Sequence, residues 1–432
     1  MLRRLDAPGA LAESRAAATA GEDAIRVAVR EIIATVQAGG DAALRRYTEQ
    51  FDGCVIDDLL VAPAAVKAAL DSIAPELRSA LELAADRIRT YHEAQAAVPE
   101  PEGIDADGVR VAELVRPVDR AGLYVPGGRA AYPSTVLMTA IPARVAGVAE
   151  IALCVPPGSD GLVPAVTLAA AALAGVDEVY RVGGAQAIAA MASGTESIRA
   201  VDVIVGPGNA YVSSAKREVA GAGIVGIESP AGPSELLVVA DATAPARFAA
   251  ADLVAQAEHG PGGAVILVTD DEAVAAAVDD ELLRALADLP ADRRAEAEST
   301  LATGGRAVVV RDLDEALAVV NAIAPEHLEL MTADPEALLP LVRNAGAVFM
   351  GPYAPAAYGD YVAGANHVLP TSGAARFSSA LRVDDFRKHI HVVRADAAAA
   401  AGGPVARAGE AIATAEGLDA HARSLRIRNE QP

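Results

Sequence analysis

Glu150-Ile151-Ala152-Leu153-Cys154-Val155 is the stretch whose reading decides the fold. It is a short apolar run, so it reads as a buried strand, with Cys154 a buried thiol inside it. An alanine-rich apolar stretch follows, from Leu162 to Val176, and then another strand, Glu178–Val182. Outward from there the same rhythm places strands at Gly122–Val125, Val201–Val205 and Ile224–Ile227, separated by helical patterns. That alternation implies a parallel, doubly wound sheet with right-handed crossovers. Leu236–Ala240, Ala264–Thr269, Ala307–Val310 and Ala347–Met350 continue it as a second unit. The expected class is α/β: two doubly wound Rossmann-like units with parallel sheets, a helical N-terminal segment and a small C-terminal helical unit.

Four segments follow from shifts in composition. Residues 1–116 are a helical N-terminal segment expected to join the second α/β unit. Within it Ile25, Val29, Ile32, Ile33 and Val36 recur at helical spacing, and Gly39-Gly40 is a stop. A second long helix begins at Pro75 and runs past Tyr91, and Val98 to Gly108 reads as a loop. Residues 117–232 form the first α/β unit and 233–376 the second, with the junction near Ser229-Pro230-Ala231-Gly232-Pro233. Residues 377–432 turn polar and then helical.

A net charge of -22 argues against nucleic acid and anionic membrane surfaces, both of which demand a basic face. With 52% hydrophobic and 22% charged residues the chain is globular. Cys54 and Cys154 form no ligand pair and no disulfide framework. The N-terminus Met1-Leu2-Arg3-Arg4-Leu5-Asp6 has no apolar core of an export signal behind it, and Leu162 to Val176 is shorter than a bilayer span. The expected compartment is the cytoplasm.

Chemistry concentrates in Ala324-Pro325-Glu326-His327-Leu328-Glu329, which sets a carboxylate beside one of only 7 histidines. His327 suits a base, because imidazole titrates near neutrality, and Glu326 could activate a water. Neighbours on an extended strand point to opposite faces; a turn at Pro325 lets both converge, and a surface pair is the other reading. Upstream, Thr243 to Glu258 reads as a helix capped by Thr243, with Gln256 and His259 three apart near its C-terminal end, where a cation is favoured. Asp360 lies in the Gly-flanked stretch Tyr358-Gly359-Asp360-Tyr361, read as a loop. Near the end, Glu416 and His421 flank Gly417, a helix breaker that could let both face one cleft. Taken singly, each reads more simply as something else: a surface amide, a C-capping histidine, an Asx-turn or a helix-surface histidine.

No G-x-G-x-x-G follows a strand. Two strand-to-helix turns still suit a nucleotide: Val182-Gly183-Gly184-Ala185-Gln186 and Val205-Gly206-Pro207-Gly208-Asn209. Glycine allows close backbone approach, and the helix start offers free N–H groups. Plain βα turns need glycine too. Tyr124, in Leu123-Tyr124-Val125-Pro126-Gly127, ends a strand at a third such turn.

In this order, along nearly the whole chain, these motifs resemble histidinol dehydrogenase. The resemblance implies NAD bound through Tyr124, Gln186 and Asn209 in the unit 117–232, without the usual fingerprint. It implies one Zn2+ per subunit held by Gln256, His259, Asp360 and His421. It also implies L-histidinol contacted by Ser234, Gln256, His259, His327, Asp360, His367, Glu416 and His421. The implied reaction is the four-electron oxidation of L-histidinol to L-histidine through enzyme-held L-histidinaldehyde, with two NAD consumed. His327 would be the base and Glu326 the water activator. A homodimer with shared sites is implied, His421 and Glu416 completing the partner's. The usual glycine is replaced by Ala380 in Phe377-Ser378-Ser379-Ala380-Leu381. The alternatives are a related zinc and NAD dehydrogenase of another polyol, such as a sulfopropanediol, and a zinc hydrolase. The hydrolase lacks its H-E-x-x-H, and retention of His367 and Glu416 favours histidinol.

Overall fold

The computed structural model describes residues 2–16, 22–97, 103–127, 130–229, 232–260 and 262–428. The chain divides into two compact units, one of Met1–Ala96 with Asp119–Phe386, the other of Ala97–Val118 with Arg387–Pro432. In chain order the strands are β1 (Arg3–Leu5), β2 (Ile104–Ala106), β3 (Val109–Pro117), β4 (Arg120–Tyr124), β5 (Glu150–Val155), β6 (Glu178–Arg181), β7 (Val203–Val205), β8 (Gly226–Ile227), β9 (Glu235–Ala240), β10 (Ala264–Thr269), β11 (Gly305–Val309), β12 (His327–Met331), β13 (Ala347–Met350) and β14 (Arg387–Ala395).

The first unit contains two parallel sheets. One runs β6-β5-β4-β7-β8, the other β1-β11-β10-β9-β12-β13. Apart from the added β1, the two are wound alike. The chain starts in the middle, builds outward on one side for two strands, then returns to the other side. The alternation seen in the sequence is therefore the fold itself. The strands are apolar because both faces are covered: every residue of β4 is buried, as is all of β5 after Glu150. Alanine lets the covering helices sit close. The helix Gly184–Ser193 is buried from Ala185 to Ala192, apolar on every side because it is enclosed on every side.

The N-terminal segment, expected to join the second sheet as a whole, is divided between the two sheets. β1 pairs with β11 at the edge of the six-stranded sheet. Three residues, two of them arginine, carry no strand period, so β1 escapes detection in the sequence. It is held by Leu2 N–H on Asp279 Oδ1 at 2.8 Å and by Glu13, which receives Arg3 and Arg306. The long helix Glu22–Asp52 instead packs Val29, Ile32, Val36 and Leu44 with Ile188 and Met191 beside the five-stranded sheet. Gly39-Gly40 is a kink rather than a stop. Gly40 leaves helical geometry at φ 51, and the helix resumes because Glu196 takes the Asp41 N–H at 2.7 Å.

The second unit holds a three-stranded antiparallel sheet, β14-β3-β2, besides the expected helices Pro404–Ala415 and Asp419–Arg426. The stretch read as a loop up to Gly108 contains β2, while its residues 98–102 lie outside the described ones. No described helix is long and apolar enough to cross a membrane.

Candidate functional site

In a doubly wound sheet the crevice lies at the carboxyl ends of the strands, where the winding reverses. For the five-stranded sheet that point is between β4 and β7. Tyr124 ends β4 with its ring buried, and its hydroxyl accepts from Gly184 N–H at 3.0 Å. Burial pushes this phenol up to about 12, so it stays a neutral hydrogen-bonding group. Gln186 is buried in the first turn of its helix and folds back over Gly184, where φ is +66 and a Cβ would come within 2.6 Å of Oε1. Asn209 caps the helix Ala210–Gly221, its Oδ1 accepting from Tyr211 N at 3.0 Å and Val212 N at 3.1 Å. Its oxygen is thus committed to the helix, and the amide N–H groups are what it has left for a ligand. A pocket of about 220 Å³ opens beside these turns, lined by Pro126, Gly127, Val155, Pro156 and Thr167. A wider groove of about 540 Å³ follows the helix Glu22–Asp52, past Ala34, Thr35 and Ala38, and touches none of these residues.

The other constellation sits at the amino edge of the six-stranded sheet. After the helix Leu313–Ile323 the chain turns sharply through Ala324, held at φ 56, and Pro325. This turn makes Glu326 and His327 converge, as the proline suggested. Glu326 Oε2 accepts the Glu235 N–H at 2.8 Å, and His327 Nδ1 lies 3.0 Å from the Glu235 carbonyl oxygen. A carbonyl only accepts, so Nδ1 carries the proton. The neutral ring therefore presents Nε2 as its base. Nε2 faces Asp360 Oδ1 at 3.4 Å and is buried without a hydrogen-bond partner among the described residues.

Charge in this pocket is tightly balanced. Burial raises Glu326 to about 7, against the pull of His327. For His327 burial works downward, but Glu326 and Asp360 outweigh it and lift the ring to about 9. Burial also opposes ionisation of Asp360; the facing His327 ring and the charges of His367 and His259 win and hold it below its ordinary value.

Crossover helices run back along a parallel sheet, so their C-terminal ends reach its amino edge. That is why the helix Ala246–Ala257 delivers Gln256 here, with His259 in the turn that follows, its N–H bonding the Gln256 carbonyl at 3.3 Å. The helix starts after Pro245, and Thr243 serves an Asp241 turn instead of capping it. Asp360 belongs to the short helix Ala356–Tyr361, not to a loop as expected from its flanking glycine. Gly359 is needed because a Cβ would meet the Phe349 ring at 2.7 Å. His367 Nδ1 binds the Asp360 carbonyl at 2.8 Å, which frees its Nε2. Burial lowers the pKa of His367, and packed protein lowers that of His259 although its ring reaches solvent; Asp360 pulls both the other way. Ser234 directly precedes β9 and is half-buried. Glu416 and His421 lie in the second unit: Glu416 ends the helix Pro404–Ala415, Gly417 breaks it at φ +71, and His421 is in the first turn of Asp419–Arg426.

Three further residues have structural roles that spacing alone did not suggest. The main chain of Glu235 fixes both Glu326 and His327. Asp252 and Glu329 are carboxyls that act on each other's ionisation, Glu329 fully buried and lifted to about 8 by burial and then by Asp252. Their sequence signal was periodicity: Glu329 shares a strand face with His327, and Asp252 a helix face with Gln256.

The donors suit a borderline divalent cation: the ionised Asp360 carboxylate, the His259 imidazole with its lowered pKa, and the buried Gln256 amide, whose oxygen is the atom that could ligate. By themselves the described His, Cys, Asp and Glu side chains form no group of three placed to hold an ion.

A family model described as histidinol dehydrogenase matches residues 15–429. A histidinol dehydrogenase of Synechococcus sp. is 51% identical over 405 residues, 93% of this chain and 92% of its own. That of Gluconobacter oxydans is 47% identical over the full length of both. The crystal structure of histidinol dehydrogenase from Elizabethkingia anophelis superposes with a TM-score of 0.92 at 36% identity, over 99% of this chain and 98% of that one.

Proposed function

The chain belongs to the histidinol dehydrogenase family, and on that premise we propose that it converts L-histidinol, two NAD and water into L-histidine, two NADH and three protons. Membership makes it an oxidoreductase of histidine biosynthesis. The observation that carries the proposed chemistry is the tautomer of His327. With Nδ1 spent on the Glu235 carbonyl, Nε2 is the only nitrogen that can take a proton from the substrate hydroxyl. It does so in each of two hydride transfers, while NAD, when bound, accepts the hydride. Between them Glu326 activates the water that adds to the enzyme-held aldehyde. A carboxyl poised at about 7 suits that task, since it is basic yet largely ionised just above neutrality.

Tyr124, Gln186 and Asn209 would contact NAD. Gln256, His259, Asp360 and His421 would hold Zn2+, which when bound supplies a Lewis-acidic anchor for the substrate's nitrogen donors. Ser234, His367 and Glu416 would complete recognition of histidinol. The proposed assembly is a homodimer in the cytoplasm, with His421 and Glu416 serving the partner's site.

Mixing metal-loaded protein with limiting L-histidinol and excess NAD tests the reading. About two NADH per histidinol are expected, the activity falling on chelation and returning with zinc. Because His327 is held up to about 9, the base form gains as pH rises, so the rate should climb on the alkaline side of neutrality. One NADH per alcohol, or turnover indifferent to chelation, would defeat the proposal.

A further inference from the structure

Gly206 is the first residue after β7, and both peptide groups flanking it are held by side chains. Its N–H donates to Glu228 Oε1 at 2.8 Å, and its carbonyl accepts from Lys216 Nζ at 3.0 Å. Lys216 and Glu228 are themselves ion-paired, with side chains only 4% and 1% exposed. The four groups close a ring around one glycine.

Stability does not explain that ring. Replacing a buried ion pair by well-packed apolar residues of the same volume is often neutral or stabilising. The second carboxylate oxygen of Glu228 has no hydrogen-bond donor among the described residues, a cost that apolar packing would avoid. The lysine is also unusual, because basic residues here are nearly all arginine, with lysine only at 67, 216 and 388. A compact ammonium can serve a carbonyl and a carboxylate from one nitrogen, which a planar guanidinium does less readily.

Position supplies the explanation. Gly206 has φ +120, and a Cβ there would overlap the Tyr124 carbonyl oxygen. Its peptides lead into Pro207-Gly208-Asn209, and Asn209 caps the next helix. At the carboxyl edge of a Rossmann-like sheet such a turn meets the cofactor with main-chain groups, whose directions are set by the peptide planes before them. We propose that the buried Lys216–Glu228 pair is a positioning device for the dinucleotide, locking the Gly206 peptides so that the turn 206–209 is already in its binding orientation. This rests on the reading of Tyr124 and Asn209 as NAD contacts.

The test is NADH binding by fluorescence, without substrate, in the full-length protein. Glu228→Gln keeps an acceptor for the Gly206 N–H but breaks the ion pair; Lys216→Met with Glu228→Leu removes both charges and leaves no unpaired ion. The double variant should keep a melting temperature near wild type and bind NADH roughly tenfold more weakly. Its KM for NAD should rise while its KM for histidinol holds. Glu228→Gln should fall between the double variant and wild type, and it carries the test if the double variant does not fold. Unchanged NADH affinity in both, or a fall in melting temperature alone, would mean that the pair is structural. Asn209→Ala separates the two readings: if it weakens NADH and the pair variants do not, only the positioning role fails. If none of the three weakens NADH, the cofactor assignment of this turn fails with it.

Discussion

At the scale of single residues, the decisive fact is that Glu326 and His327 both close on the main chain of one residue, Glu235. The carboxylate takes its N–H and the imidazole its carbonyl, so neighbouring side chains act from the same place. This explains how the two can have different tasks. His327 Nε2 faces Asp360, whereas Glu326 is anchored at its Oε2 and has its other oxygen to offer. Glu326→Gln keeps the acceptor for the Glu235 N–H and abolishes the base. Oxidation of L-histidinaldehyde by NAD should then fall by about 10²-fold or more, while its reduction by NADH falls far less. Equal losses in stopped-flow traces of the two directions would remove Glu326 from the hydration step.

Between residue and fold stand the elements that carry the site, and the carboxyls of Asp252 and the buried Glu329 lie on two of them, Glu329 reaching a third. Asp252 lies one turn before Gln256 on its helix, Glu329 follows His327 on β12, and Glu329 Oε1 accepts the first N–H of the helix bearing Asp360 at 2.8 Å. Glu329 is raised to about 8 and Asp252 to about 6, in each case first by burial. A raised folded-state pKa gives stability that is fully present below the unfolded value, near 4.5 for Glu329. That stability is lost as pH climbs through about 8. Glu329→Gln can still accept from Ala356 but never ionises. Its melting temperature relative to wild type should therefore increase steadily from pH 5 to pH 8.5. A constant difference across that range would show that Glu329 ionises in the folded protein as it does in the unfolded chain.

For the whole molecule, two sheets of the same winding present chemistry at opposite edges. Helix N-termini line the carboxyl edge of the five-stranded sheet, which suits an anionic cofactor, and helix C-termini reach the amino edge of the six-stranded one, which suits a cation. The second unit holds the two remaining assigned residues, His421 and Glu416. If sites are shared between subunits, mixing His421→Ala with Gln256→Ala protein and allowing exchange should restore activity to a fraction of wild type, since one heterodimer site would be intact. Inactive mixtures with proven heterodimers would place each site within one chain.

Much of this protein was legible in the chain alone. Strands such as Glu150–Val155 and the helices between them are local patterns, because a side chain's face follows from counting residues. Histidines are few, so Glu326-His327 and Gln256-x-x-His259 marked the chemistry by their rarity. What the chain could not state is everything that depends on register between distant segments. β1 has no period of its own and exists because β11 offers it an edge. Asp360 was read as a loop residue because Gly359 looked like a breaker, yet that glycine is what lets a helix lie on Phe349. The proton on His327 Nδ1 follows from a carbonyl 92 residues away, and Lys216 meets Glu228 only because β7 and β8 pair. Hydrophobic period is written residue by residue along the chain. Hydrogen-bond partners across a sheet are set only when its strands have paired.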